Sequence, residues 1–291
     1  MTGGERNSEE LTKDILARFN ERIEKSLKEK ESSEEPLDVK VKSVYEKIGY
    51  ILASYRSGKL PKALQVLPSI KSWERILVIT DPGKWTPQAV LQVTKIFVSA
   101  LPPSHAEIFL FKFLLPKVRK DFSDNKHVNP HIFMALKKAI YKPTAFYKGI
   151  VIPFCESEDI SQKEAAILSS VLTKCPIPVY HSAAAIVFIS KLQYSGPRAI
   201  VLRALIEKKY ALPVSVVEAL VYEFCKEVLN NVTMPVLWHQ CLLSFTQLYK
   251  NDLSLEQRNN IKHLVAKQSH HSISSEILKE LHFSDNKGSL A

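Results

Sequence analysis

Residues 55–62 read YRSGKLPK, and Ser57, Gly58 and Lys59 set a hydroxyl, a permissive backbone and an ammonium side by side. A phosphate loop uses those three parts. It also needs the spacing G-x-x-x-x-G-K-[ST] between a strand and a helix, so that successive backbone N–H groups surround the phosphates. Here only one glycine is present, and the residues before it carry a helical pattern. Nucleotide chemistry through Ser57 to Lys59 is therefore disfavoured, and the segment is expected to be an exposed basic turn. Arg56, Lys59 and Lys62 project cations where the backbone bends, which suits gripping phosphates or an acidic peptide. A turn that is merely solvated fits the same residues.

The other reactive side chains do not assemble into a site. Cys155, Cys175, Cys225 and Cys241 are separated by 20, 50 and 16 residues and form no C-x-x-C pair, so neither a zinc ribbon nor a redox motif is indicated. Buried, reduced thiols are the expectation. His239 and Cys241 stand two apart on a helical pattern, where side chains point roughly 200° away from each other. A packed Trp238 and a hydrogen-bonded His239 fit that spacing better than a metal pair. Cys155 with Glu156, His181 with Ser182, and His270 with His271 lack the partners that activate a nucleophile or hold an ion. No catalytic residue, metal ligand or cofactor is expected, and the chain is not expected to be an enzyme.

The sharpest charge feature is residues 112–148, with nine basic groups (Lys112, Lys117, Arg119, Lys120, Lys126, Lys137, Lys138, Lys142, Lys148) against Asp121 and Asp124. On the helix expected over 131–142, Ile132, Phe133, Leu136 and Ile140 fall on one face. Met134, Lys138, Tyr141 and Lys142 fall opposite. Lysines beside an aromatic can hold backbone phosphate and stack an unpaired base; a solvated lysine face has the same pattern. Lys208 and Lys209 are outer candidates for the same role.

The whole chain has 291 residues, 45% hydrophobic and 24% charged, which is ordinary for a folded protein, but its net charge of +10 is not. The first 35 residues hold seven basic and ten acidic groups, so the remaining 256 carry +13. An excess of that size favours polyanionic partners through counterion release. The polar, acidic N-terminus has no apolar core of a secretory signal, and no apolar run approaches the roughly 18 residues a membrane span needs. A soluble, intracellular protein is expected.

These side chains must be positioned by helices. Residues 1–36 are expected to form an acidic amphipathic helix, striped by Leu11, Ile15, Phe19, Ile23 and Leu27, and then a linker. A helical domain is expected over 37–283 and a disordered tail over 284–291. Helix starts are legible at Thr86-Pro87, at the capping boxes Ser161 with Glu164 and Ser254 with Gln257, and at Pro197, Pro213 and Pro235. The strand-like run at 76–80 is expected to finish a helix begun near Ser72. Some 12 to 14 helices of 10–18 residues are counted after residue 36. An all-α fold follows, an irregular, HEAT-like array or degenerate α-solenoid, since no fixed repeat length is visible.

Six strings go further: YRSGKLPKA (55–63), MALKKAIYKP (134–143), FYKGIVIPFCES (146–157), TKCPIPVYHSAAA (173–185), LIEKKYALPVSVVEALV (205–221) and MPVLWHQCLLSFTQLYK (234–250). In this order they resemble the bystin family, across roughly 37–282. The resemblance implies a helical, solenoid-like, non-enzymatic ribosome biogenesis factor needed for processing toward 18S rRNA and for maturation and export of the small subunit. Such a factor would sit as a monomer on the head and beak of the pre-40S particle. There it would touch pre-18S rRNA, small-subunit ribosomal proteins and other assembly factors, and it would shuttle from nucleolus and nucleus to cytoplasm. Family members carry a longer charge-rich N-terminal region than the 35 or so residues preceding the domain here. The alternative from the residues is a HEAT-type nuclear transport adaptor that holds acidic protein cargo on a basic face.

Overall fold

The structure, a computed structural model, describes residues 39–227 and 233–288. The N-terminal helix and linker expected over 1–36 lie outside the described residues. The chain divides into two compact units, Met1–Tyr45 and Glu46–Ala291. Of the first, only the opening of α1 is described.

The protein is all-α, with no strand among the described residues. Helix α1 spans Val39–Ser54, α2 Lys62–Val66, α3 Trp73–Ile79 and α4 Pro87–Ala100. The strand-like run at 76–80 does end a helix, with Ser72 at its start. Helices α5 (Pro103–Phe109) and α6 (Leu115–Asn125) are joined by a π turn, Leu110–Leu114. After α7 (Pro130–Ala139), the same device joins α8 (Pro143–Phe146) to α9 (Ile152–Glu156) through Tyr147–Val151. Pro116 and Pro153 explain both turns. Each lacks the N–H that would continue the ladder, and a widened turn carries the helix past it. Then follow α10 (Gln162–Lys174), α11 (Val179–Lys191), α12 (Gly196–Ile206), α13 (Val214–Glu227), α14 (Val236–Tyr249), α15 (Leu255–Lys267) and α16 (Ile273–Gly288). The last helix thus runs past residue 283, where a tail was expected to begin.

The expected caps form. Thr86 accepts from the Ala89 N–H, and Ser161 and Ser254 each complete a capping box, with Glu164 and Gln257. These satisfy N–H groups that a helix start leaves without partners.

The helices lie in two rows. Helices α4, α7, α10, α12, α14 and α16 stand side by side in one. The second row runs from the π-joined pair α5–α6 through the pair α8–α9 to α11, α13 and α15. First-row helices begin at residues 87, 130, 162, 196, 236 and 273, and these unequal steps are why no period shows in the sequence. The core between the rows is apolar and aromatic. Phe97 stacks on Phe109 at 4.9 Å between ring centres, and Trp73 meets Phe97 edge-on at 5.6 Å. Gly149 marks a close approach of the second π turn to α5, because a Cβ there would stand 2.7 Å from the Glu107 carbonyl oxygen.

Candidate nucleic-acid interface

The turns that lead from a first-row helix to the second row share one edge of the array. Polar contacts between successive turns fix that placement. Lys142 donates to the Leu101 carbonyl, so the ends of α4 and α7 lie together. Tyr147, which opens the π turn after α8, is hydrogen-bonded at 2.9 Å to Ser182 near the start of α11. Tyr210 donates to the Ile177 carbonyl and accepts from its N–H, and Tyr249 donates to the Tyr210 carbonyl at 2.9 Å.

Seven of the candidate residues fall along this edge: Lys137, Lys138, Tyr141, Lys142, Lys148, Lys208 and Lys209. They do not serve alike. Lys208 donates at 2.8 Å to the Leu172 carbonyl and at 2.8 Å to that of Cys175, closing the end of α10 from the neighbouring helix. Lys142 does the same for the end of α4 through Leu101, and burial lowers its pKa. Carbonyls at a helix C-terminus have no partner within the helix and carry partial negative charge, so an ammonium suits them. Sequence placed Lys142 on the outer face with Lys138 and Tyr141. The helix instead ends at Ala139, so its periodicity no longer governs the two following residues.

Lys137, Lys148 and Lys209 are exposed, and their side chains make no hydrogen bond or ion pair among the described residues. Lys209 holds a left-handed backbone, φ 57°, which turns the chain sharply after α12. Lys138 stands 4.6 Å from the ring centre of Tyr141, which is 67% exposed. The next turn also carries an exposed lysine and an exposed tyrosine, which sequence reasoning missed. Lys174 is exposed at the end of α10, its ammonium 5.4 Å from the Phe133 ring, and Tyr180 is 78% exposed where α11 begins. The signal was there to find, since TKCPIPVY, like KKAIYKP, puts lysine and tyrosine around a proline-marked turn.

The remaining candidates lie elsewhere. Thr86 at the start of α4 donates from its N–H to the Leu52 carbonyl at 3.1 Å and from its hydroxyl to that of Tyr55 at 2.6 Å. The 55–61 turn is therefore at the opposite end of α4 from Lys142, about 21 Å away at 1.5 Å per residue. Tyr55 donates to the Gly58 carbonyl at 2.7 Å, and Gly58 takes φ 104°, a region favouring glycine. The turn is so shaped that Arg56, Lys59 and Lys62 all stay exposed, with no polar side-chain partner among the described residues. Lys117 and Arg119 are engaged within the fold. Lys117 donates to the Gly83 carbonyl at 3.0 Å, and burial, with Lys120 nearby, lowers its pKa. Arg119 pairs with Asp159 at 2.9 Å and approaches Glu164 at 3.7 Å, tying α6 to the start of α10. Its guanidinium holds the Asp159 carboxyl below the usual range.

Several of the reactive side chains are core groups, while Glu156 and His271 are exposed. Trp238 and His239 are buried, and the His239 ring lies 5.3 Å from that of His270. Burial, then the His270 charge, push the His239 pKa down. Burial raises the Cys155 and Cys241 thiols to about 12. Among the described residues no group of three His, Cys, Asp or Glu is placed to hold a metal, and no helix is long and apolar enough to cross a membrane.

Fold and edge together define a two-row, all-α helical array that presents lysines and tyrosines on successive turns. The sequence profile of the Bystin family matches residues 5–290, and the chain belongs to that family. It is 47% identical over 251 residues to Bystin of Nematostella vectensis, covering 86% of this chain and 58% of that protein. Bystin of Homo sapiens is 47% identical over 245 residues, covering 84% of this chain and 56% of the human protein. That of Dictyostelium discoideum is 42% identical over 274 residues, 92% of this chain and 58% of its own length. The chain thus spans a little over half the length of these relatives.

Proposed function

We propose that this protein is a non-catalytic ribosome biogenesis factor that holds pre-18S rRNA and small-subunit proteins at the head and beak of the pre-40S particle. In that role it supports rRNA processing, maturation and export, moving from nucleolus and nucleus to cytoplasm. It works by holding immature rRNA, blocking premature contacts and offering a docking face to other assembly factors. Membership of the Bystin family supports the reading. The observation that carries it is the edge that presents Lys137, Lys138 and Lys209 together with an exposed Tyr141, these lysines making no ion pair among the described residues. A body charge of +13 would add long-range attraction to a polyanion.

The test is RNA binding across a salt series. Removing one lysine–phosphate pairing should reduce the log–log salt slope by about 0.7 to 0.9. Reversing Lys137, Lys138 and Lys209 should flatten the slope and weaken binding, and reversing Arg56, Lys59 and Lys62 should do so as an independent second surface. Unchanged slopes in both triple variants would contradict an RNA-binding role for these surfaces. Binding that survives nuclease and is displaced by an acidic polypeptide would point instead to a carrier of acidic protein.

A further inference from the structure

We infer that the edge joining the two rows is a track for one unpaired RNA strand, with Tyr141 and Tyr180 as successive base-stacking platforms and Lys138, Lys174 and Lys209 beside them as phosphate partners. This rests on the rRNA-binding reading above and adds to it the state of the RNA and two residues, Lys174 and Tyr180.

Three observations converge on it. First, Tyr141 and Tyr180 are 67% and 78% exposed, although both lie on turns that bury their apolar neighbours Ile140 and Ile177. Lys138 lies over the Tyr141 ring at 4.6 Å and the His181 ring meets Tyr180 at 5.2 Å, so each tyrosine is steadied by one neighbour while most of its ring surface stays open to a ligand. Second, the helices that carry the turns are neighbours: the Lys174 ammonium on α10 reaches the Phe133 ring of α7 at 5.4 Å, Tyr147 after the first turn bonds Ser182 in α11 after the second, and the Tyr210–Ile177 bonds tie the third turn to the second. Helices in a row stand about 8–10 Å apart, so three turns extend over about 20 Å, enough for a few nucleotides of extended strand. Third, the charge on these turns is predominantly positive. Lys137, Lys138, Lys174 and Lys209, with Lys142 and Lys208 holding helix-end carbonyls behind them, share these turns with one carboxylate, Glu207, which Arg203 already pairs at 2.7 Å.

Lysine and aromatic alternate from turn to turn, which suits a strand whose backbone follows the cations while its bases lie on the rings. A duplex keeps its bases stacked internally and would leave both tyrosines unused. A disordered acidic peptide would meet the lysines but gain little from two separated ring faces. The observations therefore favour unpaired RNA.

The full chain should be titrated, by fluorescence anisotropy, into a labelled unstructured single-stranded RNA and into a blunt duplex of the same sequence. Tyr141→Ala and Tyr180→Ala should each weaken single-strand binding by at least about five-fold, since stacking is worth that much or more per base. Neither should change duplex binding or the thermal unfolding curve. Tyr180→Phe should retain affinity, and Tyr222→Ala, exposed on α13 away from the edge, should be silent. If the wild type binds RNA but the double Tyr→Ala variant binds the single strand as well as before, the track is overturned while the RNA-binding reading stands. Equal affinity of the wild type for strand and duplex also overturns it. No binding to either RNA overturns both.

Discussion

The Lys208 ammonium lies 2.8 Å from the Cys175 carbonyl oxygen, so the end of one first-row helix is closed by a side chain from the next. Lys209, its neighbour in sequence, is exposed and left-handed and bonds to nothing through its side chain among the described residues. Two adjacent lysines thus divide into one that holds the array together and one that faces solvent. Lys208→Met removes a charged donor from two carbonyls and should cost about 2 kcal/mol, lowering Tm by roughly 4–8 °C. Lys209→Met should leave Tm within about 1 °C, because surface changes rarely exceed ~0.5 kcal/mol, yet weaken RNA binding. Thermal unfolding and RNA titration of both variants check the division.

The close passage at Gly149 gives a second expectation. An added methyl would meet the Glu107 carbonyl oxygen at 2.7 Å and the Leu110 Cβ at 3.1 Å, and backbone cannot swing aside as a side chain can. Gly149→Ala should therefore push the second π turn away from the end of α5 and cost about 1–3 kcal/mol. A shift of the urea midpoint to lower concentration at unchanged slope would show it.

His239 makes the array sensitive to acid. Its pKa is lowered in the folded protein by burial and by His270, so the unfolded chain takes up the proton first. Stability should be full above the ordinary imidazole value of 6.5 and decline as pH falls below it, levelling only below the folded-state value. His239→Leu should flatten this decline, and Tm measured from pH 7.5 down to 5 would show whether it does.

Thiol reactivity should follow burial. Cys155 and Cys241 are raised to about 12 and buried, whereas Cys225 is also raised by burial but only half-buried. Alkylation of the native protein should therefore modify Cys225 before either of them, and unfolding should release all four. Mass spectrometry of timed samples reads the order directly.

The helix starts were legible because capping is local: Thr86, Ser161 and Ser254 each find their donor three residues on. The edge was only half legible. Lys137, Lys138, Tyr141 and Lys209 announce themselves as basic or aromatic groups on polar turns. That Lys142 and Lys208 bind carbonyls 41 and 36 residues away, at Leu101 and Leu172, depends on which helices become neighbours. The same reason separated two basic segments that looked equivalent. The 55–61 turn and Lys142 lie at opposite ends of α4, and no local pattern reports that distance. Lys117 and Arg119 likewise belong to the dense basic run, yet they meet Gly83 and Asp159 across the fold.

Ultraviolet crosslinking in cells, with nucleotide-resolution sequencing of the bound RNA and mass spectrometry of the crosslinked peptides, tests the central claim most directly. Crosslinks are expected in the head region of 18S rRNA precursors, on peptides containing Tyr141 and Tyr180. Co-sedimentation with small-subunit precursors without RNA crosslinks would contradict the account and mean that proteins alone hold the chain there.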